Sequence, residues 1–161
     1  MKFEIERKYL LNKDKWANFE KPRGEFYRQG YILKDPAKTV RVRLTDSNAY
    51  ITIKGSVEGI SRLEYEYEIP LADAIELLDN FCSSELSKTR YKIPFDGKIW
   101  EVDEFYGDNE GLILAEIELA SEDEVYSLPD WITIDVTGDT RYYNSRLTDY
   151  PFKDWKENNG S

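Results

Sequence analysis

Residues 2–11, Lys2-Phe3-Glu4-Ile5-Glu6-Arg7-Lys8-Tyr9-Leu10-Leu11, alternate with the period of a β-strand. Successive side chains of a strand point to opposite faces, so residues two apart stand together. Glu4, Glu6 and Lys8 therefore share one face, and Phe3, Ile5, Arg7 and Tyr9 share the other. The same division recurs along the chain. Arg41 and Arg43 oppose Val40, Val42 and Leu44, and Tyr50, Thr52 and Lys54 oppose Ile51 and Ile53. Glu64, Glu66 and Glu68 oppose Leu63, Tyr65, Tyr67 and Ile69, while Lys88 and Arg90 oppose Thr89, Tyr91 and Ile93. Glu101 and Asp103 oppose Trp100 and Val102, and Glu116 and Glu118 oppose Ala115, Ile117 and Leu119. Nearly every strand thus has one apolar face and one ionised face.

Outward from these rows, alternation predicts strands at 2–11, 26–33, 39–45, 49–54, 62–69, 87–94, 98–105, 112–119 and 131–137. Turn signals separate several of them: Lys34-Asp35-Pro36, Asp46-Ser47-Asn48 and Asp96-Gly97. Helical spacing is expected at 13–19 behind an Asn12 cap, at 71–81 after Pro70, near 122–125 behind Ser121, and at 141–149. No repeat, linker or composition shift divides the chain. The expectation is a single domain over 1–155 with a polar tail at 156–161. Around eight antiparallel strands in so small a domain predict a mainly β (α+β) fold, a closed eight-stranded antiparallel β-barrel flanked by a few short helices. Closure is what removes exposed strand edges.

Composition narrows the chemistry. The 161 residues are 40% hydrophobic, enough for a packed core, and 22 Lys and Arg against 32 Asp and Glu leave a net charge of −10. So acidic a surface argues against non-specific nucleic-acid binding or adhesion to anionic membranes. The absence of histidine excludes imidazole as base or metal ligand and every Ser–His or Cys–His nucleophile. The lone Cys82 can form neither an internal disulfide nor a thiolate cluster and reads as packing. No stretch has the apolar length of a membrane span or a signal peptide. A cytoplasmic location is the expectation.

The ionised faces admit two arrangements. They could be an ordinary solvated sheet face above a one-sided core. Solvated faces, however, usually mix in Thr, Ser, Gln and Asn, whereas here like charges stand beside each other on single strands. Such pairs are tolerated best with an opposite charge or ligand between them. Curled inward, the six cations Lys8, Arg41, Arg43, Lys54, Lys88 and Arg90 could hold phosphate oxygens. The acids Glu4, Glu6, Glu64, Glu66, Glu101, Asp103, Glu116 and Glu118 could hold Mg²⁺ or Mn²⁺, hard ions that prefer oxygen. Six cations against eight acids leave −2, which two divalent ions and a triphosphate would roughly balance. Buried ions without partners are costly, so a water-filled tunnel is expected.

At this point the residues resemble the CYTH, or triphosphate tunnel metalloenzyme, superfamily. Glu4-Ile5-Glu6-Arg7-Lys8 matches its Glu-x-Glu-x-Lys signature. Further matches follow in order at Arg41-Val42-Arg43, Thr52-Ile53-Lys54, Arg62-Leu63-Glu64-Tyr65-Glu66, Lys88-Thr89-Arg90-Tyr91, Glu101-Val102-Asp103 and Glu116-Ile117-Glu118. Asp135-Val136-Thr137 to Arg141-Tyr142-Tyr143-Asn144 resembles the family's closing segment. The resemblance implies triphosphate bound along the tunnel and hydrolysis of its terminal phosphoanhydride, as in bacterial inorganic triphosphatases, which Phe26-Tyr27-Arg28-Gln29-Gly30-Tyr31 also resembles.

On that reading Lys8, Arg41, Arg43, Lys54, Lys88 and Arg90 contact the substrate. Glu4, Glu6, Glu116 and Glu118 hold one metal ion, and a second ion sits near Glu64, Glu66 or Asp103. Lys88, Glu64 and Glu66 are the candidate catalytic groups, because without histidine the proton acceptor must be a carboxylate or a perturbed lysine. Arg7 is expected in a structural ion pair, Glu68 at a solvated rim, and Arg141 and Tyr142 in an anchor at one tunnel mouth. The partner expected is a small-molecule triphosphate, with homodimer formation left open. Two rivals stand beside this reading: a class IV adenylate cyclase making cyclic AMP from ATP, and a non-catalytic protein that binds triphosphate or polyphosphate.

Overall fold

The computed structural model describes residues 2–155. Nine strands form, β1 (Phe3–Leu11), β2 (Glu25–Asp35), β3 (Lys38–Leu44), β4 (Ala49–Gly55), β5 (Ser61–Ile69), β6 (Ser84–Phe95), β7 (Lys98–Phe105), β8 (Ile113–Glu118) and β9 (Ile132–Asp135). Three helices accompany them: α1 (Lys13–Asn18), α2 (Leu71–Phe81) and α3 (Asn144–Leu147). The strand order β5-β4-β3-β2-β6-β7-β8-β1 is closed on itself by a β1–β5 pairing, so eight antiparallel strands make the barrel.

Closure depends on how β1 divides its edges. One edge pairs with β8 from Glu6↔Glu118 to Leu10↔Leu114. The other is shared: Phe3↔Leu63, Glu4↔Arg62 and Ile5↔Ser61 face β5, and Tyr9↔Asp135 and Leu11↔Ile132 face β9. The ninth strand is thus no stave of the barrel but a patch on the second half of β1. Between the two, Lys8 N donates to Thr137 Oγ1 at 2.9 Å and Val136 N donates to Lys8 O at 2.8 Å, so the seam carries few unpaired backbone groups.

The barrel is apolar outside and ionic along much of its interior. Two hydrophobic clusters lie on the outer wall, and a third, on Leu86, Phe105 and Leu114, shares the inner face with Lys88, Asp103 and Glu116 and closes one end of the interior; each is covered by a piece of chain that is not part of the barrel. Trp16 of α1 and Trp131 pack on Tyr9, Trp100, Val102 and Ile117. Leu147, Tyr142 and Trp155 pack on Leu86, Phe105 and Leu114. Ala74 and Leu78 of α2 pack on Val42 and Ala49. Each large side chain so buried contributes roughly 1.5–3 kcal/mol. Local signals set the connections. Asn12 caps α1 by accepting from Lys15 N at 2.9 Å. Asp96 and Gly97, both at positive φ (49° and 77°), make the two-residue β6–β7 hairpin that such backbones favour.

Two expected helices are corrected. Residues 122–123 are a turn and 124–125 irregular: Ser121 Oγ donates to Asp123, and Glu124 turns its carboxylate back to Ala120 N and Lys98 instead of extending a helix. The helix expected at 141–149 is broken at Tyr143, whose extended backbone (φ −70°, ψ 133°) separates a 3-10 turn at Thr140–Tyr142 from α3. The last strand is likewise shorter than 131–137. The tail expected at 156–161 lies outside the described residues. Among those residues no helix is long and apolar enough to cross a membrane.

Candidate active site

The ionised rows converge on one cavity of about 600 Å³, within the usual range for small-molecule sites. Glu4, Glu6 and Lys8 of β1, Arg41 and Arg43 of β3, and Lys54 of β4 line it together with Glu64 and Glu66 of β5. Lys88 and Arg90 of β6, Glu101 of β7, and Glu116 and Glu118 of β8 complete the ring. Glu68 lies outside it, bonded by Asn48 Nδ2, and Arg7 pairs with Asp135 at 3.3 Å on the outer face.

Asp103 is the exception among the expected metal ligands. It does not line the cavity. It is 1% exposed, and its two oxygens accept from Arg90 Nε (2.7 Å), Arg90 Nη2 (2.9 Å) and Lys88 Nζ (2.8 Å). Burial raises its pKa, but the Arg90 and Lys88 charges outweigh that and hold it below the usual aspartate range. Burial lowers Lys88 to about 8, against the opposing pull of Asp103 and with the Arg90 charge adding to the depression.

The cations fall into two classes by how well they are neutralised. Lys54 is well paired, with Nζ 3.0 Å from Glu4 and 3.2 Å from Glu64. Lys8 Nζ stands 3.6 Å from Glu116 and donates to Tyr142 O at 3.0 Å. Arg41 and Arg43 instead share a single carboxylate oxygen, Glu66 Oε2, each at 3.6 Å, well beyond the 2.7–2.9 Å of a charge-assisted bond. That oxygen already accepts from Thr52 at 2.9 Å. The Nε atoms of both arginines are buried without a partner. Burial, then the Arg41 and Arg90 charges, lower the Arg43 pKa, an unusual state for a guanidinium. This corner of the cavity has one carboxylate for two guanidiniums.

The carboxylates fall into two classes as well. For Glu4 and Glu116 burial acts upward, but Lys54 at Glu4, and Lys8 and Arg90 at Glu116, leave both well below the usual range. Glu6 goes the other way: burial and the Glu116 and Glu4 charges raise it well above that range. Burial, with Glu4 and Glu101, also raises Glu118, its cross-strand neighbour. Burial and the contact with Glu4 bring Glu64 up to about 7. No cation stands within 4 Å of Glu6 or Glu118 among the described residues, and crowded acids of this kind suit a hard cation. No three described acidic side chains already form a ligand cluster. One or two of these carboxylates could hold a hard divalent cation only with phosphate and water completing its shell.

Several lining residues carried no role in the sequence reading. Arg62 stands 3.5 Å from Glu4, and Lys92 and Lys98 also line the cavity. Arg62 shares the face of Glu64 and Glu66, so the period of two already marked it. With them, nine lining cations meet seven lining carboxylates, and two acids just outside the lining, Asp103 at Lys88 and Arg90 and Glu124 at Lys98, bring the acids to nine. A chain of net charge −10 thus encloses a lumen whose cations and acids are equal in number. Thr137 also lines it, from the end of the strand expected at 131–137, and so do Tyr143, Asn144 and Ser145, from a segment that has no strand period to reveal them.

Comparison with known proteins agrees with this architecture. A family model described as the CYTH domain matches residues 2–148. A protein of Acetivibrio thermocellus named inorganic triphosphatase is 52% identical over 155 residues, covering 96% of this chain and 98% of its own. One of the same name from Nitrosomonas europaea is 38% identical over 154 residues, covering 89% and 95%. The crystal structure of an inorganic triphosphatase superposes with a TM-score of 0.62 at 32% identity, covering 90% of this chain and 93% of that one.

Proposed function

The chain belongs to the CYTH domain family, and from that premise we propose that it is a metal-dependent inorganic triphosphatase, which hydrolyses the terminal phosphoanhydride of tripolyphosphate in the lumen of its barrel. One observation carries the reading. Arg41 and Arg43, each with a buried unpartnered Nε, share one oxygen of Glu66, so this corner of the lumen sets two guanidiniums against one carboxylate. A polyphosphate supplies oxygens for those donors, and the 52% identical relative is named for that activity.

In this reading Arg41, Arg43 and Arg90 grip phosphate oxygens with Lys8 and Lys54, and stabilise the charge that gathers on the transferred phosphoryl group. Glu6 and Glu118, helped by Glu4 and Glu116, are the candidate holders of one Mg²⁺ or Mn²⁺, with Glu64 and Glu66 available to a second. Such ions supply neutralisation of phosphate charge and a more acidic water. Lys88 accepts the proton of the attacking water. Its buried amine is brought down to about 8, and Glu64, brought up to about 7, is the carboxylate that could take the proton in its place. Asp103 serves Lys88 and Arg90, holding both in place.

The test is incubation with Mg²⁺ and either tripolyphosphate or ATP, with the products identified. Orthophosphate plus diphosphate from tripolyphosphate is expected. Cyclic AMP from ATP would move the assignment to a cyclase, and metal-dependent binding without turnover would make the protein a sensor.

A further inference from the structure

Asn144 is the first residue of α3 and reaches the cavity from outside the strand framework. Its Oδ1 accepts two hydrogen bonds, from Lys88 Nζ at 2.7 Å and from Gln29 Nε2 at 3.3 Å. An amide can ordinarily be turned over without visible consequence, since its oxygen and nitrogen are nearly the same size. Here both neighbours are donors. The lysine has no acceptor to offer, so its 2.7 Å bond by itself holds the Asn144 oxygen in place; Gln29, fully buried in the wall of β2, adds its NH₂ group and leaves its own Oε1 without a partner. The amide is therefore locked with its oxygen toward the wall.

The locked orientation determines where the other end goes. Asn144 Nδ2 makes no hydrogen bond with any described residue, and it is not among the buried atoms left without a partner. It is an N–H₂ group open to the cavity that Asn144 lines. Building on the triphosphatase reading, we propose that Asn144 is a substrate-binding residue, whose Nδ2 donates to a phosphate oxygen of the triphosphate beside Lys88. Gln29 and Lys88 act as its orienting partners. A neutral donor suits this position, because it adds a bond to the substrate without adding to the charge already crowded at Lys88 and Arg90.

Two roles for Asn144 make opposite demands on one substitution. If it only positions Lys88, it serves as an acceptor, and Asn144→Asp keeps an oxygen facing the ammonium. If it donates to substrate, the same change replaces the donor with a second anionic oxygen facing phosphate. We therefore compare wild type, Asn144→Ala and Asn144→Asp in steady-state hydrolysis of Mg²⁺-tripolyphosphate, with thermal melting as a check on folding. Wild-type release of orthophosphate tests the underlying reading separately. Asn144→Ala should raise KM about tenfold, the loss of one hydrogen bond to a charged group, and Asn144→Asp should raise it further. An Asn144→Asp enzyme as good as wild type, or better than Asn144→Ala, would overturn the assignment while leaving the triphosphatase reading intact.

Discussion

Lys88 and Asp103 face each other across β6 and β7 with Nζ 2.8 Å from Oδ2, and both are almost wholly buried. Asp103 sits behind the lumen surface, committed to the wall, while the Lys88 ammonium lines the cavity and reaches Asn144. Burial and the neighbouring Arg90 nevertheless bring the amine down to about 8.

That value gives a pH dependence. Below about 8 the Lys88 amine is protonated and cannot accept a proton, so kcat is expected to rise with pH through that region and level above it. Bound triphosphate is anionic and favours the ammonium, which moves the midpoint in kcat upward. Lys88→Arg keeps a charge that does not titrate in this range, so its profile should be flat and its kcat lower by about 10²-fold or more. A Lys88→Arg enzyme that keeps the rising limb would assign the proton to another group.

Arg43 is strained by its neighbours and useful for the same reason. Arg43→Met removes a cation that Arg41 and Arg90 repel, so the ligand-free melting temperature should not fall. Hydrolysis should drop about 10²–10³-fold, as for other lost transition-state contacts, and the stabilisation that tripolyphosphate confers on melting should largely vanish. Arg41→Ala should act in the same direction. Calorimetry with and without tripolyphosphate separates this from simple unfolding.

Removal of divalent ions by a chelator should abolish turnover. Glu6→Gln should raise the Mg²⁺ concentration for half-maximal rate about tenfold or more while leaving the ligand-free fold at least as stable, because it relieves the crowding with Glu116 and Glu4. Glu116→Gln should differ by destabilising the protein, since Glu116 faces both Lys8 (3.6 Å) and Arg90 (3.9 Å). An Mg²⁺ titration of each variant, paired with its melting curve, checks the contrast.

Stability itself should peak in mild acid. Glu64 (about 7), Glu6 and Glu118 have folded-state pKa values above the unfolded ones, so their protonation stabilises the ligand-free fold as pH falls from 8 toward 5. Glu4, Glu116 and Asp103 have depressed values, so the stability they contribute is present above about 4 and is lost as pH falls below it. Saturating Mg²⁺ should flatten the upper limb alone, by neutralising the first group. Melting temperatures recorded from pH 3 to 9 with and without Mg²⁺ test both limbs.

The strand framework was legible because a period of two is a local property. Glu4, Glu6 and Lys8 share a face whatever the rest of the chain does, and so do Arg41 with Arg43 and Glu116 with Glu118. The C-terminal segment was not legible in this way. Residues 141–149 have helical composition, yet Tyr143 takes an extended backbone where Tyr142 O meets Lys8 and Asn144 meets Lys88, and those bonds lie more than fifty residues away along the chain. Asp103 matched its row by period, and only its neighbours turned it from a candidate ligand into a buried counter-ion.

By itself the amino-acid sequence determined which side chains stand together, that the ionic ones form a face of their own, and that no imidazole, internal disulfide or thiolate cluster is available. Only the tertiary structure decided that this face is the concave one, through three residue pairs between β1 and β5 that close the barrel. Alternation divides a sheet into two faces without saying which will curl inward. That choice is made by distant contacts: the apolar face is covered from outside by α1 and α2, the C-terminal segment closes one end of the interior, and the charges are left to neutralise one another, and a bound anion, across the lumen.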